Sequence, residues 1–145
     1  MEVKFYDSVD DELLKFTVII ARFNGKLVFC KHKQRDTYEL PGGHREDNED
    51  IFTAAKRELI EETGATDFTI EPIFVYSVLG QTRVNPSGEK SFGMVYIADI
   101  KFFGEINSEM EKILIAEDVD DWTYPLIEPK IIEEAKKRGY LKIDK

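Results

Sequence analysis

The chain has 145 residues, enough for one hydrophobic core but hardly two; a domain of this size buries about 68–70% of its unfolded surface. It is 42% hydrophobic and 34% charged, which excludes disordered and collagen-like classes. The net charge of -9, from 20 Lys+Arg against 29 Asp+Glu, leaves no basic footprint for duplex nucleic acid and disfavours an anionic membrane surface.

A phosphorylated small molecule remains open, because a divalent cation can bridge acid to acid. Cys30 is the single cysteine, so no intramolecular disulfide can form and nothing points to an oxidising compartment. The longest apolar stretch, 16–21, is too short to span a bilayer. The opening residues hold Asp7, Asp10 and Asp11 but no basic segment and no hydrophobic block, so a secretory signal is not expected and the cytoplasm is the default location.

In chain order, the β-branched run 16–21 reads as a buried strand. Asn24-Gly25 is a hairpin signal, with 27–31 as the partner strand. Residues 38–40 read as a short extended piece halted by Pro41-Gly42-Gly43. A helix is predicted over about 49–63, capped by Asn48 or Asp47 and closed by Gly64. Two strands follow at 68–79 and 92–103, with a turn at Asn85-Pro86-Ser87-Gly88 between them. Residues 113–116 read as a further strand, and 125–138 as a helix with Pro125 in its first turn and Gly139 at its end. This order predicts one domain over 1–145, an α/β/α sandwich with a mixed β-sheet between helices.

At 100° per residue, Phe52, Ala55 and Leu59 form an apolar stripe expected to pack on the sheet. Glu58, Glu61 and Glu62 fall at i, i+3 and i+4 and can converge beside it, with Ala54 leaving room one turn earlier. Three like charges near a helix C-terminus repel one another and the macrodipole; a bound divalent cation reverses the sign of both effects. Carboxylate oxygens are what Mg²⁺ or Mn²⁺ prefers. The alternative is an ordinary solvated face with an Arg57–Glu61 pair.

The neighbouring residues decide between the two. Gly43, five residues, Glu49, seven residues, then Arg57-Glu58-Leu59-Ile60-Glu61-Glu62-Thr63-Gly64-Ala65 is a 23-residue pattern. At this composition it arises by chance on the order of once in a million chains. With this pattern, the sequence resembles the MutT-like Nudix hydrolases.

That resemblance implies an α/β/α sandwich and cleavage of a nucleoside diphosphate linked to a further moiety, with Mg²⁺ or Mn²⁺. It implies that Glu58, Glu61, Glu62 and the Gly42 carbonyl ligate metal. Arg57 would then orient the glutamates, Glu49 would support the loop–helix junction, and Gly43 and Gly64 would shape the box. One helix glutamate, with Glu58 and Glu61 the named candidates, would help deprotonate the attacking water. Metal-lowered water pKa predicts activity at neutral to alkaline pH.

Outside the box, Glu109 and Glu111 are candidates for an additional carboxylate, Arg83 and Lys90 for anionic oxygens, and His44 for a phosphate, with His32 a weaker candidate; the bland reading of each is solvated surface. Tyr38, Phe23, Trp122 and Tyr124 are candidates for stacking on a base, against a plain core role. Cys30 reads as a small buried hydrophobe.

Among family members, ADP-ribose pyrophosphatases tend to carry a proline about 16 residues after the box, and dinucleoside polyphosphate hydrolases a tyrosine about 18 after. Gly80-Gln81-Thr82-Arg83-Val84 holds neither, and no extra N-terminal dimerisation domain is seen. A small-molecule nucleotide is therefore expected as partner, first a nucleoside triphosphate, including an oxidised one such as 8-oxo-dGTP. A nucleotide sugar or other diphosphate conjugate is the alternative. A non-catalytic sensing module is expected to have lost box glutamates, and none is lost here.

Overall fold

The computed structural model describes residues 1–81, 86–106 and 110–142, with the side chain of Glu111 also outside the description. The strands are β1 (Glu2–Tyr6), β2 (Leu14–Phe23), β3 (Lys26–His32), β4 (Tyr38–Glu39), β5 (Gly42–His44), β6 (Ala65–Leu79), β7 (Ser91–Phe103) and β8 (Met110–Ala116). The helices are α1 (Ile51–Thr63) and α2 (Glu128–Lys137).

Among the described residues these strands form one mixed sheet. Its main path runs β1-β6-β7-β2-β3-β4, with β5 on β2 and β8 on β3. β2 and β7 are parallel, and the other pairs are antiparallel.

Strand alternation divides the core. Val18 and Ile20 face the α2 side with Phe29, Phe74, Val95 and Ile131. Ile19 and Ala21 face the other side, against Ala55 and Leu59 of α1. Helices thus cover both faces, and the α/β/α expectation holds. Asn24 and Gly25 both take positive φ, 52° and 80°, as the two-residue turn between β2 and β3 requires. Among the described residues, no helix is long and apolar enough to cross a membrane.

Several boundaries differ from the sequence reading. β1 was not foreseen; its five residues pair with the end of β6. Residues 42–44 form a strand where a loop was expected, because Phe16, Thr17 and Val18 of β2 supply pairing partners that glycine propensity does not reveal. α1 is capped by Asp50, not Asn48 or Asp47: the Thr53 amide donates to Asp50 Oδ1 at 2.8 Å. Asn48 instead takes a positive φ of 62° in the approach to the helix.

Phe52 is not part of the buried stripe. It is 39% exposed, with the Lys56 ammonium 4.6 Å from its ring centre. Ile51, Ala54, Ala55, Leu59 and Thr63 are the buried residues, because the sheet takes a face of α1 rotated away from Phe52. α2 begins at Glu128, three residues later than expected, with Pro129 rather than Pro125 in its first turn. Of the expected 85–88 turn, Asn85 lies outside the described residues.

Candidate active site

The site is built where α1 passes over β5. Gly64 ends α1 with φ 76°, and a β-carbon there would lie 2.7 Å from the Gly104 carbonyl, so glycine is required on two counts. The helix is thereby stopped one residue after its glutamate-bearing turn, and β6 starts at once.

Arg57 is the hub. Its Nε and Nη2 donate to the two oxygens of Glu49 at 2.7 and 2.9 Å, and Nη2 also donates to the His44 carbonyl at 3.1 Å. Nη1 donates to Glu58 Oε1 at 2.7 Å and reaches Glu61 Oε2 at 3.4 Å. The forked bond from Arg57 holds Glu49 well below the usual carboxylate range, at about 2, and Arg57 itself is pushed up by the same bond. One guanidinium therefore ties Glu49 ahead of the helix, the end of β5, and Glu58 and Glu61 of α1 into a unit.

Glu58 lies against Gly43. A β-carbon on Gly43 would sit 2.7–2.9 Å from the Glu58 carboxyl atoms, so the missing side chain is the space this carboxylate uses. Glu62 lies against Gly42, whose amide donates to Glu62 Oε1 at 2.7 Å. Burial raises the proton affinity of Glu58 against the pull of Arg57, and raises that of Glu62 strongly against the Gly42 amide. Glu61 stays half exposed, its side chain 48% accessible. The structure thus brings Glu58 and Glu62 to the Gly42-Gly43 strand. The expected meeting of all three carboxylates is not formed, and among the described residues no three acidic, His or Cys side chains are gathered tightly enough to hold an ion.

The donor chemistry nevertheless fits a hard divalent cation. Two partly buried carboxylates and a half-exposed third, all on one helix, are oxygen donors with no cationic partner other than Arg57 among the described residues. The Gly43 gap also leaves Glu58 room.

Beside this strand, on the α2 side of the sheet, lies a cleft enclosing about 620 Å³ including its mouth. Phe16, Gly42, Gly43, Tyr76, Tyr124 and Glu128 are among its lining residues. Two of its acids were not singled out from the sequence. Glu39 is 8% exposed and takes a 3.0 Å bond from Arg35; Glu128 is 5% exposed and accepts the Leu40 amide at 2.7 Å. Burial raises the proton affinity of both. The two lie on separate elements, with no shared spacing pattern to betray them.

The other candidates are placed as follows. Tyr38 packs against the α2-side core and does not line the cleft, whereas Tyr124 does. Trp122 meets Phe29 edge-on at 5.4 Å, and Phe23 packs on Phe103 at 5.0 Å. The Lys90 ammonium lies over the rings of Tyr6 and Phe92. His44 stacks at 4.5 Å on Phe16, and His32 Nδ1 accepts the Gln34 amide. Arg83 and Glu109 lie outside the described residues, as does the side chain of Glu111 on β8. Cys30 is fully buried, as expected.

Comparison with known proteins agrees with this geometry. The NUDIX domain family model matches residues 13–140, so the chain belongs to the NUDIX domain family. A Bacillus subtilis (strain 168) protein named as a candidate 8-oxo-dGTP diphosphatase, YtkD, is 35% identical over 101 residues. That alignment covers 70% of this chain and 60% of the relative, so the matched part spans less than two thirds of YtkD. The fold is similar to a crystal structure of the Bacillus subtilis pyrophosphohydrolase BsRppH, with a TM-score of 0.75 at 23% identity over 97% of this chain and 93% of that one. It is also similar to the NUDIX domain of Shewanella oneidensis NrtR complexed with ADP ribose, at TM-score 0.65 and 16% identity, covering 86% and 87% of the two chains.

Proposed function

We propose that this protein is a metal-dependent pyrophosphohydrolase acting on a nucleoside diphosphate-linked compound. Its first substrate class is a nucleoside triphosphate, including an oxidised one such as 8-oxo-dGTP, cleaved to a nucleoside monophosphate and pyrophosphate. The observation that carries this reading is the unit formed by Glu49, Arg57 and Glu58 against the Gly42-Gly43 strand, with an open cleft on its far side. The 35% identity to YtkD supports the choice among substrates.

Glu58, Glu61, Glu62 and the Gly42 carbonyl are the oxygens that would hold Mg²⁺ or Mn²⁺. When bound, such an ion neutralises phosphate oxygens and acidifies water.

The protein's own residues do the rest. Arg57 fixes the direction of Glu58 through a 2.7 Å bond and is itself fixed by Glu49. Positioning and electrostatics of this kind supply most of the rate in phosphoryl transfer. Glu58, with proton affinity raised by burial, and Glu61, half exposed, are the two candidates to take the proton of an attacking water.

The test is hydrolysis by Glu58→Gln and Glu61→Gln. The reading expects the catalytic base to show itself as a fall in kcat of about 100-fold or more at an intact fold. Full turnover in both variants contradicts the assignment.

A further inference from the structure

Thr17 lies within β2 and is 1% exposed. Its Oγ1 is buried and has no hydrogen-bond partner among the described residues. An unpaired buried hydroxyl is costly, and valine would give nearly the same shape without that cost. The hydroxyl therefore calls for a partner.

Strand geometry says where the partner lies. Ile19 and Ala21 face α1, and alternation along β2 puts Thr17 on the same side. Thr17 stands directly opposite Gly43 of β5. In such an antiparallel pair the two β-carbons point to one face, about 4.5–5.5 Å apart. Gly43 has no β-carbon, and the Glu58 carboxylate crowds its place, with Oε2 2.8 Å from where that atom would be. Thr17 and Glu58 thus meet at one spot between the sheet and α1.

Other side chains there offer the hydroxyl little. Ile19, Ala55 and Leu59 are apolar, and Met94, opposite Thr17 on β7, has only a thioether. A carboxylate accepts at both oxygens, and Arg57 donates to Oε1 of Glu58. Rotation about one side-chain bond re-aims the Thr17 hydroxyl without moving the backbone.

We propose that Thr17 is a positioning residue whose hydroxyl donates to Oε2 of Glu58, so that Arg57 holds one oxygen of this carboxylate and Thr17 the other. This rests on the proposed function, in which Glu58 holds a divalent cation and is a candidate proton acceptor. A carboxylate gripped at one oxygen still turns about its bond to the side chain. Gripped at two, it keeps one plane, and small displacements of such a group cost rate.

The experiment compares the wild type with Thr17→Val, which removes the hydroxyl, and Thr17→Ser, which keeps it. In EDTA the valine variant should melt no lower than the wild type, because an unpaired hydroxyl has gone. Its Mn²⁺ affinity, read by electron paramagnetic resonance, should weaken about threefold or more. Its kcat should fall about 10-fold with KM within about twofold, and serine should restore both affinity and kcat. Unchanged Mn²⁺ affinity and kcat in folded Thr17→Val overturn the proposal. Thr17 also lines the cleft. A raised KM at unchanged kcat and Mn²⁺ affinity would place its hydroxyl on the substrate and likewise overturn the proposal.

If Thr17→Val does not fold, the wild type decides alone: the Thr17 methyl resonance should move as Mg²⁺ is added, and an unmoved resonance overturns the proposal. Hydrolysis that Thr17→Val leaves intact overturns the Thr17 assignment and leaves the proposed function standing. Mn²⁺ affinity lost with valine and restored with serine, with no hydrolysis of any diphosphate compound, supports Thr17 and removes the enzymatic reading.

Discussion

The carboxylate of Glu58 crowds the place of a β-carbon on Gly43, which would lie only 2.7 Å from the Glu58 carboxyl carbon. Gly43 sits in extended pairing with Thr17, so its backbone makes no demand for glycine; the demand comes from Glu58. Gly43→Ala should therefore fold with near-native stability and move only the end of a flexible side chain. Displacement of a catalytic group by about 1 Å costs up to about 100-fold in rate. We expect kcat to fall by about 10–100-fold with the thermal midpoint within about 2 °C of wild type. A large loss of stability at retained kcat contradicts this relationship.

The Glu49–Arg57 fork has a pH signature. Glu49 is lowered to about 2 in the folded state, chiefly by the Arg57 bond, from a usual value of 4.5. The folded state therefore holds the proton less tightly than the unfolded one. The contribution is fully present above about 4.5 and is lost as pH falls toward 2. Glu49→Gln should cost about 1 kcal/mol in urea unfolding at pH 7, and much less at pH 3. Equal costs at both pH values contradict the ion-pair account.

Glu62 behaves in the opposite sense. Burial raises its proton affinity in the folded state, so the folded state binds the proton more tightly. The linked stability then falls as pH rises above 4.5, and the penalty is fully present above the raised folded value. Glu62→Gln keeps an acceptor for the Gly42 amide and removes the charge. In EDTA at pH 8 this variant should melt about 3 °C higher than wild type, with no gain at pH 4 and with hydrolysis reduced by about 100-fold. A lower melting point at pH 8 argues that the buried charge is already compensated.

The sequence made the box legible because its constraints are local. Arg57, Glu58, Glu61 and Glu62 share one helix, so their spacing set them on one side of it, although only Glu58 and Glu62 meet the Gly42-Gly43 strand. The α2-side cleft was not legible, because Glu39, Glu128 and Tyr124 come from separate elements that only the sheet assembles. Phe52 shows the limit of a periodicity argument: a heptad-spaced apolar residue can lie at the margin of a face, and the sheet selected Ala54 instead. The strand at 42–44 was hidden for a related reason. Glycine disfavours strands by itself, and here β2 and the Glu62 carboxylate hold it extended.

The most direct test of the central claim is product analysis by mass. The protein is incubated with Mg²⁺ and a panel of nucleoside triphosphates, oxidised triphosphates, dinucleoside polyphosphates and nucleotide sugars. The account predicts metal-dependent cleavage of a triphosphate to monophosphate and pyrophosphate, abolished by EDTA. Tight binding of one panel member with no cleavage of any would contradict it and assign the chain to nucleotide sensing.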